Sequence, residues 1–364
     1  MRPITSSITS LLSALAISCM TPSPEFCQQQ PAPSSFPKLA WSFKTAPIFG
    51  PLIATPNGVC FNSNGKLICL DSRSGKFQWK APLEPNKQFI VEHDGMVFYL
   101  EGHNCIVGRW IQQGVIKERV HYEKGIGNLL AADGAMLYCS ERNGSLLAFS
   151  RKSHKLAWKY EGINAYAVFV PPPEEANLYV VSSAIDALTH EWNSELQCLE
   201  KETGKLIWKT QLSSTPPQEI AWSKTGPLLI INGRLVLIDK TSGQERWSVG
   251  NNITGVVSCN DRVYTQECCF RVHAFSINGP AKQWSFSRET DFHLSASNRM
   301  IIIGNLLLVD ETESIIAMTS SQGQLVWQVD AAVGEMAAFN DGQVLRIVCY
   351  DEILCQIMLW KYGL

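Results

Sequence analysis

Short apolar runs alternate with turn residues along most of this chain, in groups that recur at a nearly constant spacing. Residues 65–79 show one copy, Gly-Lys-Leu-Ile-Cys-Leu-Asp-Ser-Arg-Ser-Gly-Lys-Phe-Gln-Trp. Within a group, Asx-Gly pairs such as Asn143-Gly144 separate the apolar runs, which is a strong local signal for β-hairpins. A repeat of roughly forty residues indicates one supersecondary unit per copy. Four apolar runs in each copy predict a four-stranded antiparallel blade, and hence an all-β protein built as a β-propeller.

A tryptophan recurs at the same position of the repeat and serves as its phase marker. It is present in seven copies, at Trp41, Trp79, Trp158, Trp208, Trp247, Trp284 and Trp327. The interval from Trp79 to Trp158 holds one more copy, in which Glu118 stands in the tryptophan position four residues after Gly114. Eight markers predict eight blades, with seven as the fallback. The large indole is expected to cover the seam to the neighbouring blade, and the glycine to provide a turn with positive φ.

The two ends of the chain are predicted to close the ring together. Residues 331–364 supply three apolar segments, at about 335–340, 343–350 and 353–360, which is one strand short of a blade. The N-terminal segment Leu39-Ala-Trp-Ser-Phe43 resembles the fourth strand of the other copies. We therefore expect it to pair with the C-terminal strands, because closure hides the exposed edges of the sheets. In the third copy the predicted strands are about 127–132, 135–140, 146–150 and 155–160.

The first residues are typical of a targeting segment. Arg2 precedes a mostly apolar stretch that is too short to span a bilayer, so residues 1–18 are predicted to be a signal peptide. The sequence Leu-Ala-Ile-Ser-Cys ending at Cys19 resembles the lipobox of bacterial lipoproteins, in which the cysteine carries the lipid. Ordinary cleavage near this point is the alternative. Residues 19–37 are rich in Pro, Ser and Gln and are predicted to form a tether to a single propeller over residues 38–364.

Composition narrows the class of function. The chain has 364 residues, 45% of them apolar, so it can bury a large core as one all-β domain. Its formal net charge of -2 argues against a nucleic-acid-binding protein.

The repeat pattern small-x-Leu-x-Ala/Cys-Leu-Asp-x-x-Thr/Ser-Gly-Lys-x-x-Trp resembles that of the quinoprotein (PQQ-like) propellers, most clearly at residues 66–80, 195–209 and 235–247. Within that group, the lipoprotein-like start, the tether and the single ring are similar to the BamB family. The resemblance implies a non-catalytic scaffold on the periplasmic face of the bacterial outer membrane. It also implies a protein partner, the barrel component of the outer-membrane assembly machinery. A secreted or soluble periplasmic location is the alternative, and no cofactor is expected.

Two other functions stay open. A quinoprotein dehydrogenase would need a quinone, a Ca²⁺ site and an Asp base. The adjacent Cys268 and Cys269 invite this comparison, although a strand over residues 265–275 would place their side chains on opposite faces. No nucleophile elbow, zinc helix or phosphate loop is present, and His190-Glu191 is followed by Ser194 where a second zinc-binding histidine would stand. The acidic stretch 310–314 is expected to be a solvated turn. The third possibility is a propeller that senses a ligand or scaffolds another envelope complex.

The cysteines bear on redox chemistry. Of 12 cysteines, 11 would remain beside a lipidated Cys19, so at least one would lack an intramolecular partner. A turn at Asn64-Gly65 would place Cys60 opposite Cys69, and a short turn would place Cys349 opposite Cys355. The alternative is that most of them are small buried hydrophobic residues.

The partner-binding surface is predicted around residues 171–193, where the fourth repeat is longer than its neighbours. Its candidate residues are Glu174, Glu175, His190, Glu191 and Trp192. Trp192 is out of phase with the repeat and lies in a polar segment, as an interface anchor would. The alternative is a loop folded back over the blade. Trp110 and Trp222 are also out of phase and are expected to be packed.

Overall fold

The computed structural model describes residues 36–83, 89–185, 192–212, 215–267, 271–288, 299–311, 314–331, 333–342, 344–351 and 354–363. These residues form 32 strands in eight antiparallel sheets of four strands each.

The strands β1 to β17 are β1 (Lys38–Lys44), β2 (Ile53–Thr55), β3 (Gly58–Ser63), β4 (Lys66–Leu70), β5 (Phe77–Pro82), β6 (Val91–His93), β7 (Met96–Glu101), β8 (Cys105–Trp110), β9 (Ile116–His121), β10 (Ile126–Ala132), β11 (Met136–Glu141), β12 (Leu146–Ser150), β13 (Leu156–Tyr160), β14 (Ala165–Phe169), β15 (Asn177–Ile185), β16 (Trp192–Glu200) and β17 (Leu206–Gln211). The remaining strands are β18 (Glu219–Ser223), β19 (Gly226–Ile231), β20 (Arg234–Ile238), β21 (Glu245–Val249), β22 (Ile253–Cys259), β23 (Arg262–Glu267), β24 (Arg271–Ser276), β25 (Gly279–Ser287), β26 (Met300–Ile303), β27 (Leu306–Glu311), β28 (Ser314–Thr319), β29 (Leu325–Asp330), β30 (Val333–Asp341), β31 (Val344–Asp351) and β32 (Gln356–Gly363).

Each sheet is one blade of a ring. Blades 1 to 7 take four consecutive strands each, from β2–β5 to β26–β29, and blade 8 has the order β1-β32-β31-β30. In most neighbouring pairs of blades the first strands lie against one another, including β2 against β30, so they surround the centre of the ring. The eight-bladed propeller and its closure by the N-terminal strand are confirmed. The strands predicted for the third copy agree with β10 to β13 within one residue.

The strand order gives the ring two faces. The turns from first to second strand and from third to fourth strand lie on one face, here called the tryptophan face. The turns from second to third strand and the connections between blades lie on the other, here called the connection face. Both assignments follow from antiparallel pairing within every blade.

The repeated tryptophan and glycine meet across the seams between blades. In blade 1, Trp79 Nε1 donates a hydrogen bond to Ile111 O of blade 2 at 2.6 Å. A Cβ atom on Gly114 (φ +67°) would lie 2.5 Å from the Trp79 ring. Equivalent indole-to-carbonyl hydrogen bonds join five further seams, from Trp41 to Ser72, Trp158 to Lys201, Trp208 to Lys240, Trp247 to Ile277 and Trp284 to Ser320.

The seam between blades 2 and 3 uses an ion pair instead. Glu118, in the tryptophan position of blade 2, binds Arg151 of blade 3 with Nη2 and Oε1 2.9 Å apart and side chains only 11% and 12% exposed. Arg151 is the counterpart of the residues that accept the indole hydrogen bonds elsewhere. The glycine position of blade 3 holds His154, with φ 57°. Since no indole covers this position, a side chain has room here.

Several local expectations from the sequence are wrong. The chain reverses between β23 and β24, where Glu267 pairs with Arg271, so residues 265–275 are not one strand. Asp310 is 1% exposed within β27 and is not part of a solvated turn. Cys349 lies opposite Met358 and not opposite Cys355, which stands in the turn before β32.

Candidate functional site

The longest hairpin that projects from the connection face joins β15 and β16 in blade 4. Its outer pairs, Ala184 with Asn193 and Ile185 with Trp192, extend past both neighbouring strands. The ladder of β14 ends at Ser182 and that of β17 at Glu195. Trp192 is 40% exposed at this projecting end. An exposed indole on a projecting hairpin can fill a pocket of a partner protein.

The structure separates the residues of the predicted partner surface. Glu174 and Glu175 lie in the loop between β14 and β15 on the tryptophan face, at the opposite end of β15 from the hairpin tip. At about 3.3 Å per residue, the strand sets the two ends roughly 26 Å apart. Glu175 Oε2 binds Lys240 Nζ of blade 5 at 2.6 Å, and Glu174 is exposed. The two glutamates and Trp192 therefore do not form one surface.

Other predicted sites lie outside the described residues. These are the lipidation residue Cys19, the partner residues His190 and Glu191, and the pair Cys268 and Cys269. By chain order, residues 190 and 191 belong to the connection between β15 and β16, next to Trp192.

The two remaining out-of-phase tryptophans differ in environment. Trp222 is partly buried and packs against Phe169 and Tyr179, with ring centroids 5.9 and 5.2 Å away. Trp110 is 37% exposed at the end of β8, so the expectation that it is packed was wrong. It lies on the tryptophan face, opposite to Trp192.

A polar chain near the centre of the ring was missed by the sequence analysis. Glu219, at the start of β18, accepts a hydrogen bond from Val256 N of β22 at 2.9 Å. Burial raises the pKa of this carboxyl to about 8, against the opposing effects of that amide and of Arg299. Arg299 in turn binds Glu335 of β30 at 2.7 Å. The chain thus joins first strands of blades 5, 6 and 8. Its only signal in the sequence is a charged residue beside an inner apolar run.

The described residues contain neither a metal-binding cluster nor a membrane-spanning helix. No group of three or more His, Cys, Asp or Glu side chains among them is arranged to hold a metal ion. The described part of the chain also lacks any helix with the length and apolarity needed to cross a bilayer.

Solved structures share this fold. BamB from Moraxella catarrhalis matches with a TM-score of 0.61 and 14% identity, over 90% of this chain and 100% of that one. The quinohemoprotein alcohol dehydrogenase from Comamonas testosteroni matches with a TM-score of 0.63 and 10% identity, over 89% of this chain and 76% of that one. Sqt1 from Saccharomyces cerevisiae matches with a TM-score of 0.67 and 10% identity, over 89% of this chain and 98% of that one. At these identities the likeness shows the propeller fold alone.

The sequence of this chain matches a known protein family. No curated protein matches this chain. The family model described as outer membrane protein assembly factor BamB matches residues 38–221 and 192–344, which include most of the ring. The chain therefore belongs to the family of the outer membrane protein assembly factor BamB.

Proposed function

We propose that this protein is a non-catalytic scaffold that supports the assembly and insertion of outer-membrane β-barrel proteins. The observation that carries the proposal is the family match over residues 38–221 and 192–344. In this proposal a lipid on Cys19 and the tether of residues 19–37 hold the ring at the periplasmic face of the outer membrane. Such an anchor is stable when it carries more than one acyl chain, because a single chain binds a membrane only weakly.

The proposed docking site is the connection face around the hairpin of β15 and β16. Trp192 is its anchor, because the indole is exposed and an aromatic residue that becomes buried on binding contributes strongly to affinity. His190 and Glu191 directly precede it in the sequence and lie outside the described residues. The partner is the barrel component of the assembly machinery. Glu175 instead serves the seam between blades 4 and 5 through Lys240, and Glu174 stands beside it.

Site-specific crosslinking tests this proposal. A photoreactive amino acid replaces Trp192 in one strain and Trp110 in another, since the two indoles are 40% and 37% exposed on opposite faces. Crosslinked products are purified from membranes and identified by mass spectrometry. We expect the barrel component to be captured from position 192 and not from position 110. Capture of other envelope proteins from position 192 would favour the general envelope scaffold, and equal products from both positions would contradict the docking site.

The proposed anchor has its own test. Labelled palmitate should be incorporated into the full chain and lost in Cys19→Ala. Absence of label in the unaltered protein would show that Cys19 is not lipidated.

The second candidate function is that of a quinoprotein dehydrogenase, since the alcohol dehydrogenase from Comamonas testosteroni shares the fold of this ring, although not more than the fold. The described residues offer no cluster of acidic side chains that fits the Ca²⁺ which such chemistry requires. Purified protein with pyrroloquinoline quinone and Ca²⁺ should show neither binding nor dye reduction with alcohols if the scaffold proposal is right.

A further inference from the structure

Two cysteines face each other on adjacent strands of blade 1. The strands β3 and β4 are joined by Asn64-Gly65, with φ of 51° and 67°, the signature of a two-residue type I′ turn. Ser63 and Lys66 close this turn, and Cys60 is paired with Cys69 three residues further along the ladder. Hydrogen-bonded and non-hydrogen-bonded pairs alternate, so Cys60 and Cys69 form a non-hydrogen-bonded pair with Cα atoms about 4.5 Å apart. This spacing lies within the range that a disulfide spans.

The corresponding position is filled differently in other blades. A small residue of the third strand there faces a ring of the second strand, in the pairs Gly108 and Phe98, Ala148 and Tyr138, Cys198 and Tyr179, and Ala274 and Tyr264. In blade 1 both members are small thiols. The space beside these thiols is filled by Ile111 of blade 2. A Cβ atom on Gly58 would lie 2.8 Å from Ile111 Cγ2 and 2.9 Å from Cys69 Sγ.

Both thiols are sealed from solvent in the folded protein. Cys60 and Cys69 are 0% exposed, and both belong to the cluster shared by blades 1 and 2. Burial raises the pKa of the Cys60 thiol, and contact with Cys69 raises it further. A thiol reacts as its thiolate, so Cys60 is a poor nucleophile in the folded protein, and neither thiol is accessible to an oxidant. Oxidation must therefore occur before blade 2 covers the hairpin.

We propose that Cys60 and Cys69 are a modification site, a cross-strand disulfide that forms while the chain folds in the presence of a disulfide oxidant. One cysteine thiolate attacks the oxidant and releases one thiolate from it. The second cysteine then attacks the mixed disulfide and releases the other. The two cysteines lose two protons and two electrons, and the oxidant gains the electrons as two thiols. This proposal is independent of the proposed function.

Peptide mapping of the full chain tests the proposal directly. Trypsin cleaves after Lys44, Lys66 and Arg73, so Cys60 lies alone in peptide 45–66 and Cys69 alone in peptide 67–73. The denatured, reduced protein is refolded with oxidised and reduced glutathione, alkylated in denaturant and digested without reductant. We expect the two peptides to be linked, and to separate on reduction. Recovery of both as separate alkylated peptides, or of either linked to another cysteine, would overturn the proposal.

Timing and matched variants sharpen the test. Oxidised glutathione added after folding under reducing conditions should yield little linked peptide, because both thiols are then buried. Cys139, also buried and free, lies opposite Leu129 and Leu147, so Cys139→Ser should leave the link intact. Cys60→Ser should instead leave Cys69 fully alkylated. Reduction should lower the thermal midpoint by roughly 5 °C in the unaltered protein and not in Cys60→Ser; equal midpoints before and after reduction of a linked sample would contradict a disulfide built into the native blade.

Discussion

The indole of Trp79 lies on the backbone of Gly114 in the next blade, with no room for a Cβ atom between them. The same contact recurs between Trp41 and Gly75, where the hypothetical Cβ would also lie 2.5 Å from the ring. The two most regular residues of the repeat are therefore one joint, shared by successive copies. At five seams, one copy supplies the indole and the next copy supplies the glycine.

We expect Gly114→Ala to lower the free energy of unfolding strongly. The substitution combines a positive φ, which costs about 1–2 kcal/mol, with a clash against Trp79, which adds about 1–3 kcal/mol. Gly162→Ala is the matched control, because Gly162 has φ +78° and no atom within 4 Å of a Cβ. Denaturant unfolding should show a clearly larger loss for Gly114→Ala. Equal losses would mean that the indole contact contributes nothing.

Glu118→Ala should destabilise the ring by about 3 kcal/mol, because it leaves Arg151 charged and largely buried without its carboxylate. Glu161→Ala is the control. Its side chain is 74% exposed, so its pair with Lys159 should contribute little to stability. Free energies of unfolding from urea titrations measure both. The prediction fails if the two variants are equally stable.

Glu219→Gln should change the pH dependence of stability. The pKa of this carboxyl rises from 4.5 to about 8 on folding, so the folded state favours its protonated form. The carboxyl therefore costs nothing below pH 4.5, and its cost grows as the pH rises to 8. We expect the variant to match the unaltered protein at pH 4.5 and to exceed its stability at pH 8 by about 2 kcal/mol. A difference that stays flat across this range in thermal unfolding experiments would show that the carboxyl is not desolvated.

Asp239 should show the opposite pH dependence: it should stabilise the protein at neutral pH and lose this effect in acid. Hydrogen bonds from Thr241 and Ser242 lower its pKa from 3.8 to about 2. The stabilisation is present above pH 3.8 and is lost as the pH falls to 2. Asp239→Asn should be less stable at neutral pH by about 1 kcal/mol, with the gap closing between pH 4 and 2. Asp261→Asn, at an exposed residue, is the control for the loss of one charge. A gap that persists at pH 2 would contradict this account.

Removal of residues 38–44 should open the ring. These residues form β1, which pairs with β32 from Lys38 to Lys44 and carries Trp41 to the seam with blade 1. The thermal midpoint should fall by about 10 °C or more, and Trp41→Ala alone should cause part of this loss. An unchanged midpoint in calorimetry would show that closure does not stabilise the propeller.

The periodicity of the sequence was enough to predict the propeller, but not the contacts of the residues that depart from the repeat. The position of Glu118 in the repeat identified the eighth blade, yet nothing in the sequence paired it with Arg151, because the two meet only across a seam. Glu174 and Trp192 are close in sequence and were predicted to share a surface. They lie on opposite faces, because β15 runs the whole height of the blade between them.

The sequence by itself determined the blade count, most strand positions and the closure by β1, because these follow from local alternation and from a repeat copied eight times. Tertiary structure alone decided which side chains meet between blades, as in the Glu219 chain near the centre of the ring and the packing of Ile111 against Cys69. Such contacts depend on which edges the ring brings together, and on the burial that results. Burial between blades is set by closure of the whole ring, and no single copy of the repeat encodes it.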